Sequence, residues 1–202
     1  MKNRILKYHL EIFTALVFLF TAVNAVMFHS LSDGQKMLNL FLLLGVVHEW
    51  EEKRFPGGFY DLMGKKFGLT FTQDTLDKAG WIVICYWLVV TIIPFIFDGI
   101  TFLLLIPVML NFFEAFVHTM GIVIHRTKKP YTPGMLSAWI MAAASVISIL
   151  GLEARGTVMT WEYVLGAFLM FVLFLLMDVG IFKVAGIRPA EMMQQMVKER
   201  RK

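Results

Sequence analysis

Apolar residues in this chain come in long runs, not in the two-residue alternation of strands or the narrow stripes of soluble helices. Leu10 to Phe28, Trp81 to Phe97 and Thr101 to Phe113 are almost free of charge. Runs of about 20 apolar residues make helices long enough to cross the hydrocarbon of a bilayer. The pattern predicts six such segments, near residues 9–29, 36–52, 79–97, 100–125, 134–151 and 160–182. Gly34, Asp98-Gly99, Pro130 with Pro133-Gly134, and Gly156 supply turn chemistry at or near four of the connections. The stretch from Lys53 to Lys78, which contains Pro56-Gly57-Gly58, is too polar for hydrocarbon and is expected to carry a short interfacial helix.

Composition agrees with this reading. Of 202 residues, 58% are hydrophobic and 17% charged, with a mean hydropathy of +0.68. A soluble domain of this size has no core large enough to hide that much apolar surface. The expected fold is an all-α, polytopic integral membrane helix bundle, with residues 1–182 as one helical domain and 183–202 as a basic amphipathic tail. Lys2, Arg4 and Lys7 precede the first apolar run, as in a signal peptide. The run is long enough to span, however, and no clear small-residue cleavage site follows, so it is read as a retained span. Cys85 is the single cysteine, which excludes an internal disulfide.

Charge sets the orientation. Seventeen of the nineteen Lys and Arg residues fall before the first segment, between the second and third, between the fourth and fifth, or after the sixth; only Lys36 and Arg155 lie opposite. Positively charged loops are retained on the cytoplasmic side, so both termini are expected there. The expected location is the bacterial cytoplasmic membrane. The pI of 9.2 then reflects topology and not nucleic-acid binding, and the tail is expected to touch lipid headgroups.

Against this apolar background the polar residues of segments two and four stand out. Both segments run inward in this topology. At 1.5 Å per residue, His48, Glu51 and Glu52 lie roughly 18, 22 and 24 Å beyond Lys36, while Asn111, Glu114 and His118 lie roughly 16, 21 and 27 Å beyond Ile100. Residues three and four apart share a helix face. His48, Glu51 and Glu52 fall within about 100° of arc, and Asn111, Glu114, His118 and His125 within about 60°. Placed face to face, the two stripes bring three carboxylates and two imidazoles to one level, with Asp178 of the sixth segment at similar depth.

An ionised group in hydrocarbon costs on the order of 3 kcal/mol or more, so several at one depth need mutual compensation or a cation. A divalent ion neutralises the carboxylates and suits imidazole–carboxylate ligands. A plain membrane exit also fits His48 to Glu52, with Lys53 and Arg54 pairing Glu51 and Glu52. It explains Glu114, between Phe113 and Phe116 inside its segment, less well. His125 beside Arg126 reads as a solvated helix end, and His9, Glu11 and Asn24 read as packing or interfacial groups.

The blocks His48-Glu49-Trp50-Glu51-Glu52, Phe55-Pro56-Gly57-Gly58-Phe59, Asn111-Phe112-Phe113-Glu114-Ala115-Phe116-Val117-His118 and Tyr131-Thr132-Pro133-Gly134 occur in this order. In these the chain resembles the HXXEE-domain membrane proteins, a family without an assigned reaction; the resemblance implies only that the blocks belong together. His48-Glu49-x-x-Glu52 is also a His-Glu-x-x-His zinc motif with its second histidine replaced. Glu51-Glu52 is a poor match to intramembrane glutamate proteases of the prenyl-protein processing type. The bundle di-iron inventory fits, although its Glu-x-x-His spacing does not.

The expectation is a membrane metalloenzyme acting on a lipid or other small apolar substrate. His48, Glu52, Glu114 and His118 are the expected ligands of iron or zinc, with Glu51 a bridging ligand or general base and Asn111 an orienting partner. The alternatives are a metal-free His/Glu acid–base lipid isomerase and a small proton-coupled transporter. Against the transporter, no internal repeat is visible.

Overall fold

The computed structural model describes residues 3–67, 70–125, 130–156 and 158–187. The His125 side chain and most of the basic tail, residues 188–202, lie outside the described residues. The described chain is helical throughout, with no strand: α1 (Asn3–Lys7), α2 (His9–Val26), α3 (Asp33–Lys53), α4 (Phe59–Phe67), α5 (Gln73–Ile96), α6 (Thr101–His125), α7 (Met135–Glu153) and α8 (Thr160–Ala185). Each of the six segments expected from the apolar runs is one helix. The polar stretch between the second and third carries the short helix α4.

Five helices, α2, α5, α6, α7 and α8, are long and apolar enough to cross a membrane, which is compatible with an integral multi-pass membrane protein. The exception, α3, has 21 residues. It has the length but not the apolarity, because Asp33 and Lys36 lie near one end and Glu49, Glu51, Glu52 and Lys53 at the other.

Local chemistry explains where the helices start and stop. Ser32 caps α3 by accepting from the Gln35 amide at 3.1 Å, while the Gln35 side chain accepts from the Ser32 amide at 3.1 Å. This reciprocal pair satisfies two otherwise orphaned N–H groups. Thr72 caps α5 through the Thr75 amide at 3.2 Å. Gly186, at φ +68°, closes α8 in the left-handed conformation.

Most of α8 presents its side chains outward: Phe168, Leu176 and Val179 are 58–62% exposed. Such exposure of large apolar residues is compatible with a surface that faces lipid. The interior is built from Phe13, Leu42, Val46, Ile84, Trp87, Leu110 and Met141, contributed by α2, α3, α5, α6 and α7. Two small residues set close approaches here. A Cβ on Gly45 would meet the Trp87 ring at 3.0 Å, and one on Gly80 would overlap His9 at 2.3 Å.

Helix α7 packs along α6 and also against α3, whereas α3 and α6 touch each other over only a short stretch. The two polar stripes therefore meet beside the first turn of α7. This wedge is what a reading of α3 and α6 alone could not anticipate.

The groups read as packing or interfacial have such partners. Asn24 Nδ2 donates to Asn39 Oδ1 at 3.0 Å, joined by the Thr21 hydroxyl at 3.2 Å. Glu11 pairs with Arg54 at 3.1 Å, and His9 Nδ1 lies 3.1 Å from the Leu6 carbonyl.

Candidate metal centre

Helical periodicity places His48 and Glu52 of α3 one turn apart, and Glu114 and His118 of α6 likewise. The structure brings these four together. One donor atom from each lies within 4.8 Å of all the others. His48 Nε2 is 3.6 Å from Glu52 Oε1 and 3.7 Å from Glu114 Oε2, and His118 Nε2 is 3.1 and 3.7 Å from the same oxygens. Nitrogens and oxygens thus alternate around a ring. Ligands bound tetrahedrally at the 2.0–2.1 Å typical of zinc with nitrogen or oxygen stand roughly 3.4 Å apart, inside the span of these four edges.

The electrostatics at this point suit a cation. His48, Glu52 and His118 are buried and Glu114 nearly so. Among the described residues, no Lys or Arg pairs with Glu52 or Glu114; only the two imidazoles face them. Leaving two carboxylates so compensated in a dry interior costs several kcal/mol per ion. One divalent ion with two carboxylates and two neutral imidazoles is a charge-neutral set.

The outer ring nitrogens each meet a hydroxyl. His48 Nδ1 lies 3.0 Å from the Ser137 hydroxyl, and that hydroxyl donates to the Gly134 carbonyl at 3.1 Å. His118 Nδ1 lies 3.3 Å from the Thr132 hydroxyl, which donates to the His118 carbonyl at 2.9 Å. A hydroxyl has one proton, and each of these has a carbonyl acceptor for it. With the protons so placed, each hydroxyl oxygen accepts from Nδ1–H, and a neutral ring then turns its Nε2 lone pair to the carboxylates. This is how a metal-binding histidine is oriented. His118 Nε2 is buried and makes no aligned hydrogen bond despite its 3.1 Å approach to Glu52.

The loop before α7 closes the site. Gly134, at φ +92°, approaches so tightly that a Cβ there would lie 2.6 Å from His118 Cε1 and 2.7 Å from Glu52 Cγ. Only glycine combines that conformation with that space. The Phe59 ring of α4 covers the other side, 5.1 Å from the His118 ring.

Glu51 and Asn111 have different placements. Glu51 turns to the start of α7, where it accepts from the Tyr131 hydroxyl at 2.6 Å, the Leu136 amide at 3.0 Å and the Ser137 amide at 2.7 Å. A carboxylate at a helix N-terminus satisfies orphaned amides and the positive end of the helix dipole. Burial, and then the hydrogen bond to Glu51, push the Tyr131 hydroxyl above its ordinary range, so it remains a donor. Asn111 Nδ2 donates to the Ser145 hydroxyl at 3.0 Å, while its buried Oδ1 has no hydrogen-bond partner.

Glu49, off the face that carries the four donors, accepts from Trp87 Nε1 at 2.9 Å and is ion-paired to Lys53. Asp178, on α8, is outside the four-residue group. Three residues that hold the site, Thr132, Gly134 and Ser137, have no metal-ligand chemistry and do not announce themselves in a sequence. The adjacent Tyr131-Thr132-Pro133-Gly134 block was the available signal, without a stated role.

No family model, curated protein or solved structure matches this chain.

Proposed function

We propose that this protein is a membrane-embedded metalloenzyme, acting on a lipid or other apolar substrate at a site held by His48, Glu52, Glu114 and His118. The observation that carries the reading is the pair of outward-anchored imidazoles. Both Nδ1 atoms meet hydroxyls that have carbonyl acceptors, and both Nε2 atoms converge on two carboxylates that lack a Lys or Arg partner among the described residues. Iron and zinc both suit imidazole and carboxylate donors. A divalent ion bound there supplies Lewis acidity toward a water or a substrate oxygen.

The protein's own residues do the remaining work. Ser137 and Thr132 hold the imidazole rings, Phe59 and Gly134 pack against His118, and the unfilled Asn111 acceptor, one turn before Glu114, is an orienting group on the same face. Glu51 is assigned to anchoring α7 and, through Ser137, to positioning His48. In this reading α3 crosses the membrane as the sixth span with its charged end at the site, both termini face the cytoplasm, and the membrane is the bacterial cytoplasmic one. The resemblance to HXXEE-domain proteins supports treating the four sequence blocks as one unit. Each of them contributes to this region: the first two through α3 and Phe59, the third through α6, and the fourth through the loop to α7.

Elemental analysis of detergent-purified protein tests the reading. We expect stoichiometric iron or zinc in the unaltered chain and its loss in His48→Ala and Glu114→Ala variants that retain helical circular dichroism. Fully folded protein free of metal after purification without chelators, and unable to take up iron or zinc, overturns it and favours the acid–base alternative.

A further inference from the structure

Two cavities reach the four-residue centre from different sides. The larger, of about 430 Å³, has Glu52 in its wall with Lys7, Arg54, Tyr60 and Asp61. The smaller, of about 100 Å³, has His118 in its wall and is otherwise almost entirely apolar, with Phe59, Leu62 and Met63 of α4 facing Val117 and Ile124 of α6. Short helix α4 is the partition. Its consecutive residues Phe59 and Tyr60 line different cavities, and the centre lies between them.

The charges of the polar cavity divide into committed and available ones. Lys53 is tied to buried Glu49 and Asp77 accepts from the Gln73 amide at 2.8 Å. Lys7 has no acidic partner among the described residues. Arg54 is paired with Glu11, but both side chains are about 40% exposed, at 43% and 39%. An exposed pair of this kind is worth at most about 1 kcal/mol, so the guanidinium is readily re-paired. Asp61 lies exposed at the rim. A cation seated on Glu52 offsets that carboxylate, leaving Asp61 and Asp77 as the acidic residues of this wall against Lys7, Lys53 and Arg54.

We propose that the substrate is a single-chain amphiphile with an anionic head, held by Lys7 and Arg54 in the polar cavity while its chain passes the four-residue centre into the cleft between α4 and α6. The inference rests on the metalloenzyme reading, which supplies the positive charge at the junction. It fixes where the reacting atoms lie: near the head, at the start of the chain. The small cleft accommodates only the first few methylenes before Ile124, which is 45% exposed, opens the path to lipid.

Calorimetric titration of the full chain in neutral phosphatidylcholine nanodiscs, with protein-free nanodiscs as blank, reads this directly. Dodecyl phosphate is expected to bind at least about tenfold more tightly than dodecanol or inorganic phosphate. The double variant Lys7→Glu/Arg54→Glu should abolish the preference over dodecanol, and Leu62→Trp should abolish the preference over inorganic phosphate. Metal content, measured on the same preparations, should be unchanged in both. Equal binding of dodecyl phosphate and dodecanol, or a preference that survives charge reversal, overturns the head-group assignment. Equal binding of dodecyl phosphate and inorganic phosphate overturns the chain path. Any of these results with stoichiometric metal present leaves the metal centre standing, whereas loss of metal alone, with the preferences intact, strikes only the metalloenzyme reading.

Discussion

A single turn near the end of α3 puts three glutamates into two contrasting environments. Glu51 and Glu49 are saturated: the first by a hydroxyl and two helix-end amides, the second by an indole N–H and an ammonium. Glu52, on the same turn, faces only imidazole nitrogens shared with Glu114. Buried carboxylates are costly unless hydrogen-bonded or paired. The saturated ones have that cost offset by the fold and stabilise it. The unsaturated one has only two imidazoles beside it, and so marks the place where chemistry is expected. Membership of a motif says little; the partners of each carboxylate decide its role.

Breaking the saturated side should damage the fold more than the site. Glu51→Ala leaves the Tyr131 hydroxyl and two amides of α7 without their acceptor, an expected loss on the order of 3 kcal/mol. Thermal unfolding followed by circular dichroism measures it, and an unchanged melting curve would refute the anchoring role. Gly134→Ala attacks both sides at once. Its Cβ would overlap His118 and Glu52, and a positive φ is unfavourable for alanine, so we expect about 1–3 kcal/mol of lost stability together with weakened metal binding.

Sharper separation comes from smaller changes. Ser137→Ala and Thr132→Val remove the acceptors of the two Nδ1–H groups while leaving all four donors in place. We expect roughly 10- to 100-fold weaker metal binding, read by competition with a chromophoric chelator, and only a modest change in melting temperature. Trp87→Phe is the smallest and the opposite control. It removes one donor to Glu49, for an expected loss of about 1.5 kcal/mol, and should leave metal affinity untouched. If Trp87→Phe lowered metal affinity as much as Ser137→Ala, the contrast between Glu49 and Glu52 would not hold.

Much of the arrangement is legible from the chain alone, for definite reasons. Long apolar runs can only be satisfied as helices in lipid, where every backbone group must bond internally. The three-to-four-residue spacing of His48, Glu52, Glu114 and His118 then fixes which side chains share a face. Depth matching aligned the two stripes without knowledge of any contact. Glu51 satisfies the same depth and nearly the same phase, yet its rotation of about 100° from Glu52 turns it toward α7, a neighbour that periodicity does not identify. The Tyr131-Thr132-Pro133-Gly134 block lies in a loop, where no period exists to assign a direction.

The sequence by itself determined the helices, their approximate ends and the four donors that share two faces, because these follow from local geometry and from what hydrocarbon tolerates. Tertiary structure alone decided that α7 enters beside the junction of α3 and α6, that Glu51 caps it, and that Ser137 and Thr132 meet both histidine rings. Those outcomes depend on hydrogen bonds between residues up to 89 positions apart. No pattern within one helix encodes the direction of a partner on another, so only the packed bundle separates the carboxylates that hold the fold from those that face the site.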